Sequence, residues 1–125
     1  MDRLNIEATL STPMIRFDPE SSLLQLAGES YPENSFEFYG PVLALLKEAL
    51  AENRSLNLEV NIRYMNSSST KCVLDMLDML EEASKRNVRV EIVWYYDREN
   101  PRSLDLAEEF QEEVTLPFTI VPTEG

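Results

Sequence analysis

Leu56-Asn57-Leu58-Glu59-Val60-Asn61-Ile62-Arg63-Tyr64 runs through Met65 into Asn66-Ser67-Ser68-Ser69-Thr70-Lys71, and Cys72 to Ala83 follows with apolar residues at helical spacing. The first stretch alternates apolar and polar side chains, the period of a strand with one face buried. The hydroxyl run therefore sits where a strand ends and a helix begins. Asn66 is placed as the N-cap, with Ser67, Ser68 and Ser69 in the first turn and Thr70 opening the second. A helix start leaves backbone N–H groups unpaired and carries partial positive charge. A phosphoryl group held there is stabilised by those donors. One capping side chain is enough, and four hydroxyl residues of mediocre helix propensity add little stability. The run is either an N-cap with spare serines or a phosphorylation switch, and the residues alone leave both readings standing.

Upstream, Ile6 to Leu10 is a candidate first strand. Met14 to Phe17 and Leu23 to Gly28, joined by the turn Asp18-Pro19-Glu20-Ser21, predict a hairpin. Asn34 followed by Glu37 fits a capping box. A short turn at Phe36–Tyr39 and a main helix from Pro41 to Glu52 follow from it, because proline suits a first helical turn. Downstream, the hydroxyl-led helix runs to Lys85, and Arg86-Asn87 is a tight turn. Val88 to Tyr96 is β-branched and aromatic on both faces, which predicts a central strand covered on both sides. Ser103 is placed as the cap of a third helix from Leu104 to Val114. Pro117 to Pro122 is a proline-bounded edge strand. The order β-β-α-β-α-β-α-β predicts an α/β fold: a mixed sheet with parallel pairs backed by about three helices, in one domain over residues 1–125.

Composition narrows the chemistry. Twenty-three Asp and Glu stand against 11 Lys and Arg, a formal net charge of −12, which disfavours nucleic acid and anionic membranes as partners. A partner with a basic patch would be steered toward such a chain, or the acidity only keeps it soluble. No segment is apolar for long enough to span a membrane, and the N-terminus lacks the apolar core of a signal peptide, so a cytoplasmic protein is expected. Cys72 is the single cysteine and there is no histidine. The commonest general base and the commonest transition-metal ligand are both missing, and neither a metal site nor a cofactor is expected. Asp97, Glu99 and Asn100 alternate in a loop without the glycine and spacing of a calcium loop. Two enzymatic readings survive: Ser67 with Lys71 at i and i+4 on one helix face, or a carboxylate pair such as Glu81–Glu82, Glu108–Glu109 or Glu112–Glu113. A structural homodimer joined through a sheet edge is a third alternative.

Several stretches resemble the SiaC-type regulatory phosphoproteins of bacteria: Leu4-Asn5-Ile6-Glu7-Ala8-Thr9, Ser11-Thr12-Pro13, Gly28-Glu29-Ser30-Tyr31-Pro32-Glu33-Asn34-Ser35, Tyr64 to Lys71, Asp78 to Ala83, and Trp94-Tyr95-Tyr96-Asp97-Arg98. The resemblance covers nearly the whole chain. It implies a fold like the STAS domains of anti-sigma antagonists. It also implies a cytoplasmic switch in cyclic-di-GMP signalling and biofilm formation. A dedicated Ser/Thr protein kinase would phosphorylate the protein and a PP2C-like phosphatase would reverse this. The unphosphorylated form would bind and activate a diguanylate cyclase. The family's phosphoacceptor is the hydroxyl residue directly after the Asn, which is Ser67 here, with Ser68, Ser69 and Thr70 as alternates; a member of the family carries threonine at that place. The partner surface expected on this basis is Asn66, Ser67, Ser68 and Lys71.

Overall fold

The alternation that begins at Leu56 becomes the longest strand of a six-stranded sheet. A computed structural model describes residues 2–124. In chain order the elements are β1 (Leu4–Ile6), β2 (Met14–Asp18), β3 (Leu23–Ser30), α1 (Ser35–Ala51), β4 (Leu56–Met65), α2 (Ser67–Lys85), β5 (Val90–Asp97), α3 (Pro101–Gln111) and β6 (Phe118–Thr123). The strands lie in sequential order across the sheet. The β1–β2 and β2–β3 pairs are antiparallel, and the β3–β4, β4–β5 and β5–β6 pairs are parallel.

All three parallel crossovers step in the same direction. Right-handed connections of that kind place their helices on one face of the sheet. Burial follows the same division. Leu56, Leu58, Val60 and Ile62 of β4 are buried with Val90, Ile92 and Trp94 of β5, facing Val42 and Leu46 of α1 and Val73, Met76, Leu77 and Leu80 of α2. Trp94 stacks between Phe110 of α3 and Phe118 of β6, with centroids 4.6 and 5.8 Å away. The opposite face carries Asn57, Asn61, Arg63 and Glu91, all exposed, and Gln25 donates to Glu59 across it at 3.0 Å. The expectation that β5 is covered on both sides is corrected. The strand order never reverses direction, so no crossover reaches the second face. Val93 and Tyr95 are half-buried there, as β-branched and aromatic residues are when they pack along a pleated surface.

Other boundaries differ for local reasons. The architecture has one strand more than the predicted order, and that strand is Leu4–Ile6 rather than Ile6–Leu10. Thr9 stops it from extending, because its Oγ1 accepts from the N–H groups of Ser11 and Thr12 at 3.2 and 3.0 Å and folds the chain into a turn. The two predicted pieces of α1 are one helix. Asn34 Oδ1 accepts from the Glu37 N–H at 3.1 Å, so Asn34 caps the helix and starts it at Ser35, while the Glu37 carboxylate takes a hydrogen bond from the Asn34 side-chain amide at 3.3 Å rather than from its backbone N–H, which is half of the predicted capping box. Gly40 and Pro41 lie inside it. Pro41 withholds a hydrogen bond from the Glu37 carbonyl without ending the helix. In α3 the cap is Asn100, not Ser103. Asn100 accepts from the Arg102 N–H at 3.1 Å with Pro101 in the first position. Ser103 is buried, and its Oγ accepts from the Asp97 N–H at 3.1 Å. Asn53 and Asn87, both at positive φ, follow the C-caps of α1 and α2.

One irregularity bears on function. β3 and β4 pair Gly28 with Ile62 but Glu29 with Tyr64, so Arg63 is an extra residue on β4. Gly28 sits at φ +123°, a conformation closed to side chains with a Cβ. The bulge reverses the alternation at Tyr64. Period 2 places that ring with Leu56 to Ile62 in the core, yet Tyr64 is 53% exposed.

Two glycines therefore predict opposite outcomes in urea denaturation. Gly40→Ala, where a methyl group meets nothing within 4 Å, raises stability by about 0.5–1 kcal/mol. Gly28→Ala lowers it by about 1–3 kcal/mol.

Candidate functional site

The C-terminal ends of β3 and β4 and the starts of α1 and α2 meet at one end of the sheet. Asn66 lies at the centre. Its backbone N–H donates to the Ser30 carbonyl at 2.9 Å, which ties the helix start to the end of β3. Its side-chain Oδ1 accepts from the Ser69 N–H at 2.9 Å, and its Nδ2 donates to the Pro32 carbonyl at 3.4 Å. Its carbonyl accepts from both the N–H (2.9 Å) and the hydroxyl (3.0 Å) of Thr70. Asn66 is the N-cap that the sequence predicts, with every polar group spent inside the protein.

The hydroxyl groups behind it form a chain. Tyr39 and Ser30 are 2.6 Å apart, Ser30 and Ser69 2.8 Å, Ser69 and Ser35 3.0 Å, Ser35 and Ser68 2.8 Å, and Ser68 reaches Asn66 Oδ1 at 3.3 Å. A hydroxyl has one hydrogen to donate. The amide oxygen at the end only accepts, so Ser68 donates to Asn66 and Ser35 to Ser68. Ser69 donates to Ser35, Ser30 to Ser69, and Tyr39 to Ser30. Every donor points the same way, an arrangement in which each bond polarises the next. Tyr39, Ser30, Ser35 and Ser69 are buried, and no buried side-chain polar atom among the described residues lacks a partner.

This sorts the four consecutive hydroxyl residues at the start of α2. Ser69 is buried inside the chain of donors, Ser68 is half-buried at its end, and Thr70 is tied back to Asn66. Ser67 is exposed, and its hydroxyl makes no hydrogen bond among the described residues. The N–H groups of Ser67 and Ser68 have no protein acceptor among them either, so the free donors of the helix start lie beside that hydroxyl.

The other predicted residues fall differently. Lys71 is exposed and donates to Asp75 at 2.8 Å; that hydrogen bond and the Asp75 charge hold its pKa above the ordinary value. An ammonium group held in its charged form is not a base for Ser67. Glu81 accepts from the Thr115 hydroxyl (2.7 Å) and N–H (3.1 Å), which keep its carboxyl below the usual range. It joins α2 to the segment before β6. Asp97 accepts from the Glu99 N–H at 2.9 Å in the turn before α3. No group of three or more Cys, Asp and Glu side chains among the described residues is placed to hold a metal ion.

Sequence reasoning did not single out the apolar surface around Ser67. The Tyr31 and Tyr64 rings meet edge to face at 5.5 Å, and Phe36 in the first turn of α1 is 58% exposed. Tyr31 and Phe36 flank a capping signature, which gives some indication of exposure; Tyr64 has no such indication, because only the bulge turns it outward.

Burial pushes the Tyr39 phenol up to about 12, against an unfolded value of about 10. The stability linked to this proton is complete below about pH 10 and lost as pH rises toward 12. Thermal unfolding followed from pH 8 to 12 shows that loss in the parent and a smaller one in Tyr39→Phe. At neutral pH Tyr39→Phe costs about 1 kcal/mol. Ser30→Ala, which strands the Tyr39 donor, costs more, up to about 3 kcal/mol.

Comparison with known proteins agrees with this architecture. The model of the SiaC family of regulatory phosphoproteins matches residues 6–123. An uncharacterized protein of Pseudomonas aeruginosa strain UCBPP-PA14 is 44% identical over 121 residues, 96% of each chain. The solved structure of SiaC of Pseudomonas aeruginosa superposes with a TM-score of 0.92 at 42% identity, covering 98% of this chain and 100% of that one. A crystal structure of the diguanylate cyclase SiaD in complex with its activator SiaC, from the same organism, contains a chain that superposes at 0.93 with 43% identity, covering 96% of this chain and 99% of that one. No helix among the described residues is long and apolar enough to cross a membrane. The chain belongs to the SiaC family of regulatory phosphoproteins.

Proposed function

We propose that residues 1–125 form one SiaC-like unit acting as a non-enzymatic, cytoplasmic phospho-switch. Its unphosphorylated form binds and activates a diguanylate cyclase, and it thereby controls cyclic-di-GMP and biofilm formation. A dedicated Ser/Thr kinase phosphorylates Ser67 and a PP2C-like phosphatase removes the group. The observation that carries this reading is that Ser67 alone, of the four hydroxyl residues, is both exposed and unbonded. The SiaC–SiaD complex of a relative supports the choice of partner. The charged, paired state of Lys71 speaks against the Ser67–Lys71 enzyme.

The physics of the switch follows from the position. Phosphorylation adds about −1.5 to −2 charges and three strong acceptor oxygens. At the first residue of α2 those oxygens lie beside unpaired N–H groups, and the helix gains about 0.3–1 kcal/mol rather than melting. The hydroxyl chain from Tyr39 to Asn66 does not include Ser67, so the core is undisturbed. The effect falls on the partner. An interface that seals over a neutral hydroxyl must instead desolvate a dianion, at several kcal/mol. A loss of about 4 kcal/mol turns a micromolar complex into a millimolar one.

Cyclase activity is the direct test. The host's own SiaD-type diguanylate cyclase is assayed for cyclic-di-GMP production with the parent protein, the kinase-phosphorylated protein and Ser67→Ala. Parent and Ser67→Ala activate equally, the phosphorylated protein does not, and kinase treatment leaves Ser67→Ala active. Equal activation by the phosphorylated and unphosphorylated parent overturns the mechanism.

A further inference from the structure

The face of the sheet that no helix covers is hollowed from its middle toward the C-terminal ends of β3 to β6. Two hollows of about 290 and 390 Å³ adjoin there and share Ala27, Asn61 and Thr123. The sequence of β3 accounts for the depth, because Ala27 and Gly28 pair with β2 and β4 and bring almost no side chain to the floor. The first hollow is also lined by Gln25, Glu59 and Tyr95, the second by Arg63 and Asp97. Most of the polar groups here are unspent. The Asn61 side-chain amide, the Arg63 guanidinium and the Tyr95 hydroxyl make no hydrogen bond among the described residues. Gln25 engages one oxygen of Glu59 at 3.0 Å and the Glu99 N–H one oxygen of Asp97 at 2.9 Å, leaving the second oxygen of each carboxylate unspent. Arg63 has no ion pair among the described residues, although 23 Asp and Glu stand against 11 Lys and Arg. At Asn66, by contrast, every polar group is spent inside the protein. A concave surface with a few unspent polar groups of complementary kind is what a small-ligand site offers.

We propose that this trough binds a guanine nucleotide carrying one phosphoryl group per nucleoside. The lining is laid out in the order of such a ligand. In the first hollow Tyr95 supplies aromatic surface on which a base stacks. The Glu59 carboxylate accepts and does not donate. Guanine presents a ring N–H beside an amino group, two adjacent donors that a carboxylate takes together, whereas adenine presents a donor beside an acceptor. Gln25 steadies Glu59 from the side, and the Asn61 amide has a donor for the guanine carbonyl. In the second hollow the unspent oxygen of Asp97 accepts from ribose hydroxyls, and Arg63 meets the phosphate. Together the hollows fall in the size range of small-ligand sites, about 300–1,000 Å³. A small zwitterion such as an amino acid would use Arg63 and Asp97 but leave Tyr95 and Glu59 idle. Charge limits the phosphate count: a net charge of −12 opposes a polyanion, and one guanidinium answers one phosphoryl group. The site lies on the other face of the sheet from α2, and it does not depend on the reading of the chain as a cyclase activator.

Calorimetric titration of the whole protein with GMP, cyclic-di-GMP, AMP and GTP tests this, in the parent, Glu59→Gln, Arg63→Gln and the control Glu91→Gln, which lies on the same face outside both hollows. Thermal unfolding checks that each variant folds. GMP, cyclic-di-GMP or both bind the parent with a Kd below about 1 mM. AMP binds at least about tenfold more weakly than GMP or cyclic-di-GMP, whichever binds more tightly, and GTP more weakly than that same ligand. Tighter binding of GMP assigns the free mononucleotide as the source of the ligand, and tighter binding of cyclic-di-GMP assigns the cyclase product. Glu59→Gln keeps an acceptor for Gln25, turns one acceptor of the trough into a donor and removes the preference for guanine. Arg63→Gln weakens the guanine ligands at least about fivefold, and Glu91→Gln binds like the parent. If one trough variant does not fold, the other variant and the guanine-to-adenine ratio of the parent decide. The proposal is overturned by no saturation with either guanine ligand up to about 1 mM, by AMP or GTP binding as tightly as the better guanine ligand, or by parent-like binding in every trough variant that folds.

Discussion

Asn66 receives the last hydrogen of a chain of hydroxyl donors that begins at Tyr39 in α1 and passes through Ser30, Ser69, Ser35 and Ser68. Its side chain also caps α2, and its backbone fastens that helix to β3. Two helices and two strands are thus registered against one another by polar contacts in an otherwise apolar core. Buried polar groups of this kind are tolerated only when fully paired, and here the pairing is complete. The geometry at this end of the molecule depends on that completeness. A helix start that drifted would leave several buried hydroxyls without partners at once.

The same network decides what the surface offers. Four consecutive hydroxyl residues enter α2, and the chain of donors or the Asn66 carbonyl takes three of them. What remains outside is one hydroxyl, next to the free N–H groups of a helix start and beside exposed aromatic rings. Rigid support beneath the site and an unengaged group above it suit a switch that works on a partner rather than on the fold. A phosphate there changes what can cover the surface and leaves the core as it was. The open face of the sheet, by contrast, presents mixed charges, with Val93 and Tyr95 half-buried along it.

The alternation of β4, the cap at Asn66, the hairpin and the cap at Asn34 were legible because each is a local signal: a period, or a side chain answering a backbone donor a few residues away. The extent of α1 was not. The sequence shows Pro41 as a start signal, and only the geometry at Asn34 reveals that the helix is already running when it arrives. Ser103 reads as a cap by type, but the position of Asn100 wins that role and the serine turns inward. The cover on β5 depends on the direction of three crossovers, which no single segment encodes. At the site, the placement of Ser67 at a helix start was legible. The separation of its hydroxyl from those of Ser68 and Ser69 was not, because Ser30, Ser35 and Tyr39 reach them from distant segments. Tyr64 was hidden for a similar reason: a one-residue bulge against Gly28 moves it from one face of the strand to the other.

The account stands on Ser67 being the one hydroxyl of its run available to another protein's active site. Fragmentation mass spectrometry of the protein isolated from its native host, or treated with its kinase, measures this directly. The account predicts a single added phosphoryl group located on Ser67, with Ser68, Ser69 and Thr70 unmodified. A phosphoryl group found on Ser69, deep in the donor chain, or spread evenly over residues 67–70, contradicts it.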